Sequence, residues 1–314
     1  MRVLIAGAGA LGSVFGGFLR RAGLAVTLLG RRGHLAAIAR DGLYITGLWG
    51  DHRVAGFDLC ESASQLAAPF DAVLLAVKSY DSRTVAEQAA PLLAPSGVVI
   101  SLQNGLGNLE AIESVVTPAR TLGARVIFGA EITQPGCVRV TVYADQVLIG
   151  ARRPGVYPLL DQAAQQWAAR IDAAGIPAAD SSDIDAALWA KVFYNAALNP
   201  LGALLGVPYG ALAAHAETRA LMDAIIGEAF AVAQAEGVGL PWASADEYRQ
   251  LFYGRLVPST VDHRSSMLQD LERGRRTEID AINGEIWRRG QAHGIVTPYS
   301  ETLTRIVRCR EQQR

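Results

Sequence analysis

The sequence predicts an α/β protein: a doubly wound parallel sheet in the N-terminal half, joined to an all-helical C-terminal half. Three observations predict it. A short apolar strand at residues 3–6 runs straight into the glycine-rich segment Gly7-Ala8-Gly9-Ala10-Leu11-Gly12, and helix-forming sequence follows from Leu11 to Arg21. Further apolar runs (Ala25 to Leu29, Ala72 to Val77, Val98 to Leu102) alternate with helical stretches, as strand–helix repeats do. Beyond about residue 180 the apolar spacing is helical and strand character is scarce. The expected division is therefore residues 1–180 and 181–314.

Composition narrows the function classes. The chain has 314 residues, 50% of them apolar and 19% charged, which is ordinary for a folded protein of about two domains. Lys plus Arg total 29 against 30 Asp plus Glu, so a net charge of −1 offers no global attraction to nucleic acid or an anionic membrane. Cys60, Cys137 and Cys309 lie far apart with no C-x-x-C, which points to a reducing, cytoplasmic setting. The five histidines are scattered, none at zinc-ligand spacing, so no metal is expected. Residues 3–19 carry no charge and mimic a signal peptide or a short membrane anchor. Five glycines interrupt the run, however, and it falls short of the ~20 residues of a span.

The fingerprint itself is specific in this context. G-x-G-x-x-G after a strand and opening a helix is the dinucleotide-binding signature of a Rossmann-type domain. Gly7 permits the tight turn, Gly9 lets backbone approach a pyrophosphate, and Gly12 lets the helix pack on the strand. The free N–H groups at the helix start bind the phosphates. The end of the second strand selects the cofactor. An acidic residue there would bind the ribose 2′-hydroxyl of NAD; the sequence has Gly30-Arg31-Arg32 instead, which favours a 2′-phosphate and hence NADP(H). Arg31 rather than Arg32 is the expected contact, and one of the two is solvated.

Ligands of doubly wound sheets bind outside the carboxyl ends of the strands. Lys78 stands at the end of one strand, as a phosphate or ribose contact or as a solvated cap. Asn104 stands beyond the next, in Gln103-Asn104-Gly105, where it reaches nicotinamide or substrate or else serves a turn. Asp81 to Leu93 reads as a helix. Residues 122–128, 137–142 and 146–150 then read as strands and Val156 to Ala174 as a helix. The cluster Asp180-Ser181-Ser182-Asp183 offers a cap for the next one.

That next helix carries a polar line. Residues 184–199 are almost wholly apolar, yet Lys191, Asn195 and Asn199 recur every fourth position and so stack along one side, ahead of Pro200. The chain has 27 Arg but only two Lys, at 78 and 191. Composition bias explains the ratio. Still, an ammonium can give up a proton where a guanidinium cannot, so each lysine is a candidate for chemistry. The row either faces solvent or lines a buried polar site. Farther on, Leu268, Leu271, Ile279, Ile282 and Ile286 form one stripe if 265–286 is a continuous helix. Glu278 then lies at its margin, at the surface or looking into a cleft, and Arg275 falls within the stripe, three residues from Glu278.

The chain resembles the ketopantoate reductase (2-dehydropantoate 2-reductase) family along its whole length. The resemblance is carried by Gly-Ala-Gly-Ala-Leu-Gly at 7–12, Val-Lys at 77–78, Gln-Asn-Gly at 103–105 and Lys191-x3-Asn195-x3-Asn199-Pro200-Leu201. It continues in Ser265-Ser266-Met267-Leu268-Gln269-Asp270 and Arg276-Thr277-Glu278-Ile279-Asp280. It implies a helical domain like that of 6-phosphogluconate dehydrogenase and NADPH-dependent reduction of 2-dehydropantoate to (R)-pantoate, toward pantothenate. By the same resemblance Lys191 is the catalytic general acid, and Asn104, Asn195, Asn199 and Ser266 are substrate contacts. Glu278 is an acidic residue touching both ligands. Gly7, Ala8, Gly9, Ala10, Leu11, Gly12, Arg31, Lys78, Asn104 and Ala130 are implied cofactor contacts. The expected partner is a small 2-oxo acid in a cleft between the halves, in a monomer or homodimer. Two departures bear on the pocket: Tyr209 stands where some members have Asn, and Val126-Ile127-Phe128 where Thr-Thr is common. Two alternatives stay open: a paralogue reducing another 2-oxo acid, and an NADPH-sensing module without catalysis.

Overall fold

In the structure, a computed structural model that describes residues 1–67 and 69–313, the first strand, β1 (Arg2–Ala6), is apolar at nearly every position because both its faces are covered. Val3 and Ile5 join one buried cluster, and Leu4 and Ala6 join another. That period of two, with no polar face, is what a parallel strand between helices requires. β1 leads into α1 (Ala10–Arg21), β2 (Ala25–Leu29) and α2 (Arg32–Asp41). There follow β3 (Leu43–Gly47), β4 (His52–Val54), β5 (Asp58–Cys60), β6 (Phe70–Leu75), α3 (Ser82–Ala89), β7 (Leu93–Ser101) and α4 (Asn108–Val116). β8 (Thr121–Arg125), β9 (Phe128–Gln134), β10 (Cys137–Tyr143), β11 (Val147–Gly150), α5 (Pro158–Ala174) and β12 (Ala178–Asp180) complete the α/β part.

The main sheet has eight strands in the order β12-β11-β8-β7-β6-β1-β2-β5. All neighbours are parallel except β11 against β8. The chain starts in the middle at β1 and winds outward both ways, so the strand order reverses beside β1, the position of the fingerprint loop. A second sheet, β4-β3-β10-β9, covers the N-terminal helix, where Phe18 meets Trp49 edge-on at 5.7 Å. This sheet explains a departure from the expected elements. The apolar run 122–128 is not one strand: β8 belongs to the main sheet and β9 to the second, with Val126 and Ile127 as the crossing. β3, β4, β5 and β12 are three to five residues long and carry too little pattern to be read from sequence.

The helical part comprises α6 (Ile184–Leu205), α7 (Tyr209–Ala214), α8 (Ala216–Ala235), α9 (Ala245–Leu251), α10 (Ser266–Glu272), α11 (Asn283–Ala292) and α12 (Pro298–Gln312). Its core is aromatic: Phe193 of α6 lies 5.7 Å from Phe230 and 5.1 Å from Tyr248, ring centre to ring centre. Glu228 of α8 caps α12 by accepting from the N–H groups of Tyr299 and Ser300 at 2.7 and 2.8 Å. By packing, the chain divides into a unit of residues 1–103 and 108–184 and a unit of residues 104–107 and 185–314. The second unit thus takes in four residues that follow β7.

Two helix expectations change. α6 does not stop before Pro200 but runs through it to Leu205. Proline has no N–H to give the carbonyl four residues back, Ala196; Asn283 Nδ2 donates to that oxygen instead, at 3.2 Å. Conversely, 265–286 is not one helix. α10 ends at Glu272, Gly274 takes φ +61°, and a short turn at Ile279–Ala281 precedes α11. Arg275 is therefore exposed rather than inside a buried stripe, and Glu278 lies in the non-helical connection.

Candidate active site

The first unit builds a dinucleotide cradle from small residues. Gly7 has φ +106°, and a Cβ there would sit 2.8 Å from Val77 at the end of β6. At Gly12 a Cβ would lie 2.1 Å from the Gly7 carbonyl oxygen, so α1 approaches the turn only with glycine. At Gly9 a Cβ would meet nothing within 4 Å: that side of the loop is open. Gly9 is also the N-cap of α1 and supplies no side chain to its N–H groups. The N–H groups of Ala10 and Leu11, in the first turn, have no intrahelical acceptor. That of Ala8 is already donated to Leu29 O at 2.8 Å. An open, donor-rich helix start beside a close-packed turn fits a pyrophosphate.

The rim of the cradle is cationic. Arg31 follows β2 as the exposed N-cap of α2, its carbonyl anchoring the N–H groups of His34 and Leu35 at 3.1 Å. Arg32 is exposed as well and stands 3.9 Å from Glu61. Gly30 admits no larger residue, since a Cβ would be 2.7 Å from that of Ala8. An acidic side chain at that position would strike the fingerprint loop. Lys78 is half-buried at the end of β6, one residue past the Val77–Gly7 contact. Ala130 lies half-buried in β9 of the second sheet, opposite Val140.

One buried amide that sequence reasoning missed locks the strand ends. Gln103 accepts from Ser101 Oγ at 3.0 Å and donates to Val77 O at 3.0 Å and Ser82 Oγ at 2.7 Å. It ties the end of β7 to the segment after β6, and the next residue is Asn104.

The second unit gathers polar groups from three chain segments. Lys191 Nζ donates to Asn104 Oδ1 at 2.6 Å, and Lys191 is only part-buried. Asn195 and Asn199, one and two turns along α6, are 8% and 5% exposed. The 104–107 segment is fastened to the connection before α11 through Leu106 N–H to Ala281 O, 2.8 Å. At Gly105, φ +83°, a Cβ would lie 2.3 Å from that oxygen. Asn283 fastens the same connection to α6, as described above. These three ties hold Asn104, the α6 row and the Glu278 connection as one assembly. Glu278 is 7% exposed; its neighbours Thr277 and Asp280 are pinned to α12 through Glu311 at 2.6 Å and Arg308 at 2.7 Å.

Of the two serines opening α10, Ser265 is buried and spent on structure: its Oγ caps Leu268 N–H at 3.0 Å and donates to Asn199 O at 3.4 Å. Ser266, one residue on, is exposed. Tyr209, the first residue of α7, donates its hydroxyl to Asn199 Oδ1 at 2.5 Å. Burial pushes its phenol pKa well up, so the proton stays on. Among the described residues no His, Cys, Asp and Glu side chains group as a metal site. Nor is any helix among them long and apolar enough to cross a membrane.

A dinucleotide cradle on a doubly wound sheet, with a lysine–asparagine assembly in a helical unit, defines an oxidoreductase that uses a nicotinamide cofactor. Comparison with known proteins gives the family. The model described as "Ketopantoate reductase PanE/ApbA" matches residues 3–154, and that described as "Ketopantoate reductase PanE/ApbA C terminal" matches residues 183–311. A 2-dehydropantoate 2-reductase of Aquifex aeolicus is 36% identical over 311 residues, covering 99% of this chain and 97% of the relative. A PanE/ApbA family ketopantoate reductase from Ralstonia eutropha superposes with TM-score 0.87 at 37% identity, covering 100% and 99% of the two chains. A D-mandelate dehydrogenase in ternary complex with NADH and anilino(oxo)acetate does so with TM-score 0.89 at 28% identity, covering 100% and 99%. The chain belongs to the ketopantoate reductase family.

Proposed function

We propose that this protein reduces 2-dehydropantoate to (R)-pantoate with NADPH, a step toward pantothenate. The single observation that carries the reading is the Lys191–Asn104 contact of 2.6 Å at the head of the Asn195–Asn199 row, in a chain of this family. Residues that fit NADPH are the open N–H groups of the Gly9 loop, Arg31 and Lys78. The exclusion of any side chain at position 30 favours the 2′-phosphate form. When bound, the nicotinamide supplies the hydride for the C2 carbonyl.

The chain's own groups do the rest. Lys191 holds a cationic proton donor where negative charge grows on the carbonyl oxygen. Asn104 takes one of its three ammonium hydrogens and so fixes where the other two point. Asn195, Asn199 and Ser266 orient the carboxylate and the 4-hydroxyl. Glu278 accepts from a substrate hydroxyl or from Lys191. The test is NADPH oxidation, followed by absorbance, with 2-dehydropantoate; no oxidation would overturn the reading.

A second reading, NADH-dependent reduction of an aromatic 2-oxo acid, is favoured by one observation: the full-length likeness to the NADH complex of D-mandelate dehydrogenase. Phenylglyoxylate with NADH in the same assay separates the two.

A further inference from the structure

The phenol of Tyr209 occupies a place the reaction as described does not use. It is 2% exposed and its target, Asn199, is 5% exposed, so the 2.5 Å bond between them is made out of water. The ring cannot swing away. Tyr194 packs against it edge-on at 5.6 Å between ring centres, and the His263 ring lies at 5.0 Å. Its backbone is tied too, through Tyr209 N–H to His263 O at 3.1 Å. Tyr194 is itself held by a 2.6 Å bond between its hydroxyl and that of Thr260.

A buried carboxamide has two unlike ends, and which one faces a ligand decides what ligand it accepts. A phenol that donates to Oδ1 fills one of that oxygen's two acceptor sites and fixes which way round the amide stands, while Nδ2 keeps both its hydrogens to offer. From this geometry we propose that Tyr209 is a positioning residue for specificity: it clamps the Asn199 amide so that the end of the Lys191–Asn195–Asn199 row is a hydrogen-bond donor. The row then selects 2-oxo acids that carry an acceptor oxygen at the far end over those with a methyl group there. The inference deepens the reductase reading and rests on it. A site built to hydrogen-bond a substrate oxygen penalises an analogue lacking it far more than a hydrophobic site penalises a missing methylene.

The test compares kcat/KM for two oxo acids that differ by one oxygen: 2-dehydropantoate and 3,3-dimethyl-2-oxobutanoate, which lacks the 4-hydroxyl. The wild-type protein is expected to prefer the first by at least about tenfold. In Tyr209→Phe that preference shrinks severalfold, mainly through a raised KM for the hydroxylated substrate, while NADPH affinity and turnover of the deoxy acid stay near wild type. In an Asn199→Ser background Tyr209→Phe changes the preference no further, because the clamp has nothing left to hold. An unchanged preference in Tyr209→Phe would overturn the proposal. So would an equal loss for both oxo acids, which marks a merely structural role.

A second readout needs no turnover. With 15N-labelled asparagine, the Asn199 side-chain signal, assigned by its loss in Asn199→Ser, shifts or broadens in Tyr209→Phe if the phenol holds the amide. Absence of turnover in the wild type with either acid would fell the reductase reading, and the selectivity with it. An unmoved Asn199 signal would fell the clamp alone.

Discussion

At the scale of single residues, the 2.6 Å contact from Lys191 to Asn104 orients the ammonium that the proposed reaction uses as its proton donor. Lys191→Ala is expected to lower kcat by about 10²–10⁴-fold, the range for loss of a positioned general acid, with the NADPH dissociation constant nearly unchanged; titrating NADPH fluorescence alongside turnover checks both. Arg31→Ala is expected to weaken NADPH far more than NADH, because only the former carries the 2′-phosphate. Equal weakening of the two would move that contact elsewhere, and Arg32, already beside Glu61, is the weaker candidate. The Lys191–Asn195–Asn199 row was legible because a spacing of four is a local property of one helix. Asn104 was legible only as an amide beyond a strand. That it meets Lys191, 87 positions later, depends on packing that no local pattern encodes. The bonds of Gln103 and Asn283 were not legible for the same reason, since their partners lie up to 87 positions away; Tyr209 stood out only as a departure at the pocket, and its bond to Asn199 depends on how α7 turns back on α6.

At the scale of elements, α6 is a helix that keeps its line through a proline. The cost of an interior proline, about 3 kcal/mol, is partly offset by Asn283 reaching the orphaned Ala196 carbonyl. Asn283→Ala should destabilise the protein, but modestly. It strands a buried carbonyl, worth about 1–3 kcal/mol, yet it also removes a fully buried Oδ1 that has no partner of its own. A loss near the low end of that range is expected, read as a lower urea midpoint at unchanged slope. Elements were legible where the pattern was long. β1, α1, β2, β6, α5 and α6 stand close to where their apolar periods place them. The stripe from Leu268 to Ile286 misled because helical arithmetic continues through a break. Gly274 interrupts the backbone while Leu268 before it and Ile279, Ile282 and Ile286 after it are all buried.

At the scale of the whole molecule, stability should depend on pH through a buried imidazole. His34 accepts from Gly136 N–H at Nδ1, 3.1 Å, so the neutral ring carries its proton on Nε2 and gives it to Ser13 Oγ at 3.0 Å. Burial holds its pKa below the ordinary 6.5. The unfolded chain therefore takes up a proton near pH 6.5 that the folded one resists; stability is full above that pH and falls as pH drops below it. Burial depresses His263 in the same sense. Melting temperature should decline between neutral pH and about pH 5.5, and His34→Gln should flatten part of that slope; an unaltered slope would assign it to His263 and other groups.

Fold class was the most legible level, since a fingerprint at residue 7 and a change of period near 180 are global signals. The small second sheet was not, because its strands pair across nearly a hundred residues. The four residues 104–107 carry a practical consequence for anyone recombining this protein. They are encoded amid the α/β half yet pack with the helical one, and they bring Lys191 its acceptor. A chimera spliced at a single crossover near residue 184 inherits this loop from one parent and its seat from the other. Grafts made between divergent parents should therefore lose fidelity at that seam unless the tetrapeptide travels with the C-terminal donor.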